Sequence, residues 1–519
     1  MFISTHNKYY YQTTICLLVF VIITLASPQD IPPSLSPCNV NIDSRSTVLP
    51  GQPCGSSMSS NACPTFADAM AQCINNSTNI TLTVYPDNYI GSSNTAAISL
   101  TPIPGFNGTR VLNIVNYLVR QSVGIDLSNT VASFIQASTD VEVYVQGVYF
   151  FNTAQDIKTF PGAIMSINST SSNASFTMEE AFVNQITSTV PGALFYINAS
   201  PSSTLSLITC VVGGIVGTSG AVVYGTDGLS VSIQASTFQN ITSNGSGPGT
   251  LVYIRDSTIS MSSLYIKLST ITESAIHIER STATIESSNA FGIEQDYNYP
   301  DPVVYFFGGQ SNVTISSGSL TTDISVIKIE GGSSVYMFNT MFTSCKCPYL
   351  VSVGNSTALL NATLMTMNNI TSHSIIAENS SYVELDGASF FFSTPGPKQE
   401  GVLIYVEESR VVINQTNIQS YYNYSSYFAC DEESNVTVDS GHSIMYLTAV
   451  YNTDYVAAES CTPHFFSCEI RGLEECEKEP FEWEPVDIVL VLIGCLAVVI
   501  ISLAIFLKIY HQRHQYTQL

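Results

Sequence analysis

One pattern, apolar-x-apolar-x-x-small-x-apolar, returns through the middle of the chain and constrains its fold more than any other feature. The clearest copies are VYVQGVYF at 143–150, LSLITCVV at 205–212, VSIQASTF at 231–238, VTISSGSL at 313–320, VYMFNTMF at 335–342, VELDGASF at 383–390 and VVINQTNI at 411–418. Looser copies begin near Phe176, Ile259, Ala283, Ala358 and Val436, and the intervals run from about 22 to 33 residues. Ahead of most copies lies a second apolar stretch and a polar turn ending in serine: LVYIRDS at 251–257, AIHIERS at 275–281, VIKIEGGS at 326–333, LVSVGNS at 350–356 and LIYVEES at 403–409. Period-2 alternation and β-branched residues specify strands, and the Asn, Asp, Gly and Ser clusters between them specify turns. A unit of about 25 residues holding two or three short strands cannot bury its own apolar face, whereas a stack of such units encloses a continuous core. The expected architecture is therefore all-β, a right-handed parallel β-helix over 80–452 behind a Cys-rich N-terminal cap at 27–79. Leucine-rich repeats are excluded because the regular Leu ladder and its Asn are missing. Propeller blades are excluded because they need about 40–50 residues each.

Two apolar segments predict the topology. Residues 13–26 (TTICLLVFVIITLA) follow a polar start carrying Lys8 and end with Thr24 and Ala26 at a cleavable position, so 1–26 reads as a secretory signal peptide. Residues 488–507 (IVLVLIGCLAVVIISLAIFL) are long enough to cross the roughly 30 Å hydrocarbon layer, and 487–507 is expected to be a transmembrane helix. Glu482, Glu484 and Asp487 flank it on one side and Lys508 and Arg513 on the other, which places the 508–519 tail in the cytosol. The segment 453–486, acidic and cysteine-containing, is expected to close the rod and space it from the lipid. The expected protein is thus a type I single-pass glycoprotein of the plasma membrane, with its ectodomain outside. Asn-x-Ser/Thr sites stand at Asn75, Asn76, Asn79, Asn107, Asn168, Asn173, Asn198, Asn240, Asn244, Asn312, Asn355, Asn361, Asn369, Asn379, Asn414, Asn423 and Asn435, all between the two apolar segments.

Cysteine usage fits an oxidising compartment. Two terminal groups, Cys38, Cys54, Cys63 and Cys73, then Cys430, Cys461, Cys468 and Cys476, read as disulfide-stapled ends, each with three pairings if closed on itself. Neither group has the spacing of a zinc site, and no metal or cofactor is expected. Cys210 occupies the small position of its repeat, and Cys345 lies five coils further on, roughly 24 Å at strand spacing. That separation is far beyond disulfide reach, so Cys210 is expected to be a buried free thiol. Cys345 and Cys347 either pair with each other or stay free.

The segments GQPCG at 51–55, CPTFADAM at 63–70 and ITLTVYPDNY at 80–89 resemble the opening of the pectin-lyase-like right-handed parallel β-helix superfamily, a capping helix followed by the first strand and its turn. Asp87 stands where that turn usually carries Gly. The resemblance covers roughly residues 50–450 and implies the fold alone, because lyases, hydrolases and adhesins share it.

Catalysis finds little support in the residues. Asn452-Thr453-Asp454 and Gly441-His442 match fragments of the polygalacturonase signature but in the wrong order, and no Asp-Asp pair or R-x-K accompanies them. Arg255, Arg280 and Lys328 beside Asp256, Glu279 and Glu330 read as solvated turn charges, so no catalytic residue is assigned. For ligand contact the candidates are Tyr196, Tyr253, His277, Tyr305, Lys328 and Tyr405, expected at equivalent outward positions of successive coils, where ring faces could stack on sugars. The competing reading is a self-stacking column on an exposed sheet. A net charge of −24 argues against nucleic acid, leaving a polysaccharide or a cell-surface protein as partner, besides the membrane. The expected function is non-catalytic adhesion or binding. The alternatives are a membrane-anchored polysaccharide lyase or hydrolase, and an endolysosomal membrane glycoprotein, for which Tyr516 and Leu519 would form a tyrosine-based sorting signal.

Overall fold

The computed structural model describes most residues between 37 and 447 and the strand Glu469–Arg471. Residues 1–36, 448–468, 472–519 and several short stretches lie outside the described residues. The signal peptide, the 487–507 span, Tyr516, Leu519, Cys345, Cys347, Cys461, Cys468, Cys476, Asn75, Asn76, Asn244, Asn369 and Asn423 fall there, as does the side chain of Cys430. Among the described residues no helix is long and apolar enough to cross a membrane.

The chain is a parallel β-helix. Each coil visits three sheets in turn, as in Val141–Gln146, Val148–Phe151 and Met165–Ser169, before Ala174–Glu179 pairs in parallel on top of the first strand. Among the described residues the sheets hold sixteen, seventeen and thirteen strands, and every strand pairing is parallel. The repeat positions explain the coil one by one. The apolar residues at positions one and three point inward on the first sheet, giving the columns Val143–Phe176–Leu205–Val231 and Val145–Met178–Leu207–Ile233, all buried. The fifth residue turns the corner in the left-handed region: Gly147, Glu180, Thr209, Ala235, Ser263, Ser287, Ser317, Asn339, Ala362, Gly387 and Gln415 all have φ between 47° and 69°. Such a conformation costs a non-glycine residue about 1–2 kcal/mol, and stacking offsets it because the corner N–H groups continue the ladder, as Thr209 does to the Gln234 carbonyl. The sixth residue is buried behind that corner and is small in most copies, with Val148 and Leu264 the larger ones.

Cys210 fills this position. It is fully buried, unpaired, and lies with its sulfur 3.3 Å from the Met178 carbonyl oxygen, as the coil spacing required. Burial pushes its thiol pKa up to about 11, which keeps it protonated and unreactive.

The serines that end the polar turns form a second internal device. The backbone N–H of each donates to the serine hydroxyl of the next coil, without a break from Ser257 through Ser281, Ser311, Ser333, Ser356, Ser381 and Ser409 to Ser434. All eight are buried. Replacing Ser333 by Ala strips the Ser311 N–H of its acceptor and the Glu330 carbonyl of a donor 2.8 Å away. We expect a loss of about 1–3 kcal/mol in urea unfolding, and no loss would mean that the ladder contributes nothing.

The N-terminal end is closed as the opening segments imply. Helix Phe66–Cys73 starts at Thr65, whose hydroxyl accepts from the Asp68 N–H at 3.0 Å, and it buries Phe66, Ala69, Met70 and Cys73 over the first coil. Of the three pairings left open by the sequence, the structure has Cys38–Cys73 and Cys54–Cys63. The first bridge ties the helix to strand Cys38–Ile42, which lies on Asn79–Val84 as an extra rung. The loop closed by the second bridge covers that outer strand, through Asn41 N–H to Gly55 carbonyl and Cys63 N–H to Asn41 carbonyl. An unpaired edge is thereby avoided.

Candidate functional site

The third sheet carries the outward stripe. Strands Phe195–Ala199, Val223–Thr226, Val252–Arg255, Ser274–Glu279, Val303–Gly308 and Ser325–Glu330 pair in register so that Tyr196, Tyr224, Tyr253, His277, Phe306 and Lys328 stand in one column. Ser352, Ile376 and Tyr405 continue it. Four of the expected residues therefore begin the stripe and a fifth, Tyr405, extends it.

Tyr305 does not belong. Its register partners are Ile276 and Ile327, both interior, and it is only 1% exposed. The outward place in that coil belongs to Phe306, and Tyr224 supplies the rung that the sequence reading passed over.

The five rings from Tyr196 to Phe306 stack on one another. Successive centroids are 5.3, 5.0, 5.2 and 4.4 Å apart and no pair is tilted by more than 24°. Ring faces inside the column are therefore covered by neighbouring rings. Glycines preceding the sheet press on the column as well: a Cβ on Gly192 would lie 3.0 Å from Cβ of Tyr224, and one on Gly249 3.0 Å from Cβ of His277. Tyr253 and His277 are 8% and 7% exposed, so their edges alone reach solvent. Burial raises the Tyr224 and Tyr253 hydroxyl pKa values and lowers that of His277 to about 4, which leaves the imidazole neutral with an unpartnered Nδ1.

The charges flanking the stripe neutralise one another. Arg280 forks onto Asp256 at 2.8 and 2.7 Å and reaches Glu279 at 2.7 Å, while Lys328 pairs with Glu330 at 2.7 Å. The Arg280 hydrogen bonds hold the Asp256 carboxyl below the ordinary range. Tyr405 donates to Glu407 at 3.1 Å, beside the same stripe. These pairs lie at the surface, where each is worth at most about 1 kcal/mol. Glu273, an exposed residue just ahead of strand Ser274–Glu279, differs in that partial desolvation raises its carboxyl pKa against the opposing pull of Lys328. Among the described residues no three His, Cys, Asp or Glu side chains converge as metal ligands would.

No protein-family model, curated protein or solved structure matches the chain. The parallel β-helix accordingly rests on its own strand pairing, register and corner geometry.

Proposed function

We propose that this chain is a single-pass type I surface glycoprotein, akin to the pectin-lyase-like right-handed β-helices, whose rod binds a polysaccharide or a cell-surface partner without catalysis. The observation that carries the non-catalytic reading is the pairing of the acids that flank the ring stack, Asp256, Glu279 and Glu330, with Arg280 and Lys328. Glycoside cleavage needs a carboxylic acid and a second carboxylate free to act on one bond, but Asp256 and Glu279 are both held by one guanidinium. The apolar segments at 13–26 and 488–507 support secretion and anchoring. Sequon positions agree: Asn79, Asn107, Asn168, Asn173, Asn240, Asn312, Asn355 and Asn379 are exposed, and Asn198, Asn361, Asn414 and Asn435 are half-exposed.

The test is the full chain in mild detergent on immobilised polysaccharides, read for retention and for new reducing or unsaturated ends. Retention without new ends supports binding. Glu273 is the observation favouring the enzyme alternative, and cleavage that disappears in Glu273→Gln would establish that alternative. For the endolysosomal alternative, Tyr516→Ala should move the steady-state protein to the plasma membrane; an unchanged distribution removes that reading.

A further inference from the structure

The second sheet has an outer hollow of about 320 Å³ that no sequence feature announced. Two outward columns border it. One runs Tyr149–Phe182–Val211, and the other carries Asn184, Gly213 and Gln239 on successive coils. Gly213, itself buried, stands between two amide-bearing positions two rungs, roughly 10 Å, apart, and lets the Gln239 side chain lie over it. Both amides lean toward the glycine pair there: a Cβ on Gly213 would lie 3.2 Å from Gln239 Cγ, and one on Gly214 would lie 2.7 Å from Asn184 Oδ1. Phe182 is 53% exposed beside them, so its ring is accessible on the sheet face. Unlike the rings of the third-sheet stripe, it is not buried in a run of stacked neighbours.

We propose that this hollow binds a neutral pyranose unit of an external glycan. Its chemistry selects that class. An aromatic ring meets the C–H face of a sugar, and the two amides offer donors and acceptors, as a pair of ring hydroxyls does, with one Asn184 N–H already directed at the Tyr149 hydroxyl 3.5 Å away. No charged side chain lines the hollow, and the chain's charge of −24 repels uronate polymers, so a neutral sugar is favoured over an acidic one. A peptide strand is disfavoured, because the backbone groups of a sheet face are already paired and none is left to extend. The volume lies at the lower end of small-ligand sites. The inference rests on the binding function proposed above and gives it a place and a ligand class.

The experiment measures retention of the full chain on neutral gluco-, manno- and galacto-oligosaccharides, with oligogalacturonates in parallel. We expect retention on at least one neutral series, weakened tenfold or more by Phe182→Ala, by Gln239→Leu and by Gly213→Val, which displaces the Gln239 side chain at a position with ordinary φ. Circular dichroism identifies any variant that has failed to fold, and the remaining two then decide. Neutral retention unchanged in folded variants overturns the site while leaving the binding function standing. Retention on oligogalacturonates alone overturns the ligand class. No retention on either series overturns the site together with the polysaccharide reading. Asn240 is a sequon beside Gln239, so Asn240→Gln is assayed too; binding that appears only in that variant would assign the hollow to the protein's own glycan and overturn an external ligand.

Discussion

Tyr305→Ala is expected to cost about 3–5 kcal/mol in urea unfolding, whereas Tyr405→Ala should cost less than about 1 kcal/mol. The two tyrosines sit in similar apolar strands, VVYFF and LIYVE, and the sequence reading placed both outside. Their environments differ completely. Tyr305 is among the largest fully buried side chains, stacked between Ile276 and Ile327 of adjacent coils, with the Phe307 ring 5.9 Å away. Removing its ring leaves a cavity inside a stack whose rungs are fixed by backbone pairing on both sides, so the walls cannot collapse into it. Tyr405 is half-exposed, with its ring stacked on His373 at 5.1 Å and its hydroxyl donating to Glu407. Equal, small effects would put Tyr305 back on the surface and refute the register of the third sheet.

The reason for that misplacement is physical and local. The polar turns between the third and first sheets come in two lengths. Asp256, Arg280, Asn355 and Glu408 each turn the corner alone in the left-handed region, whereas Gly309-Gln310, Gly331-Gly332 and Asn379-Ser380 use two such residues. Counting back from the turn serine therefore reaches the outward position four residues earlier at Ser257, Ser281, Ser356 and Ser409, but five earlier at Ser311, Ser333 and Ser381. In VVYFFGGQS the five-residue count gives Phe306, and three consecutive aromatics hid the alternation that would otherwise have corrected it. The first sheet was legible from Val143 onward, because its apolar-x-apolar pair is followed by a corner of constant length, whereas the strand Arg110–Asn116 was not read as a copy. Cys210 followed from that same constancy. The hollow on the second sheet was not legible: it depends on Gly213 being framed by residues from neighbouring coils, a relation along the stack that no linear window contains.

His277 should make the fold sensitive to mild acid. Its folded-state pKa is about 4 against about 6.5 in the unfolded chain, so the unfolded state takes up the proton first. The sign follows: nothing is lost above pH 6.5, and stability falls as pH drops from 6.5 toward 4. The loss is about 2 kcal/mol at pH 5 and about 3 kcal/mol at pH 4. The cause is burial between Tyr253 and Phe306, which offer rings and no counter-charge, while Glu279 on the same strand already holds Arg280. Carboxylates such as Asp43 and Asp256, kept low by hydrogen bonds from Arg45 and Arg280, also favour the folded state. Their contribution is lost only as pH falls below their ordinary range near 4, so the window from pH 6.5 to 5 separates the two effects. His277→Phe keeps the ring column and removes the titration. Unfolding free energies at pH 7.5 and pH 5 should differ by about 2 kcal/mol more in the native sequence than in that variant. An identical pH dependence in both would show that the imidazole is not buried in the column. A rod with this residue in its ring column would carry a standing stability penalty below about pH 6.5.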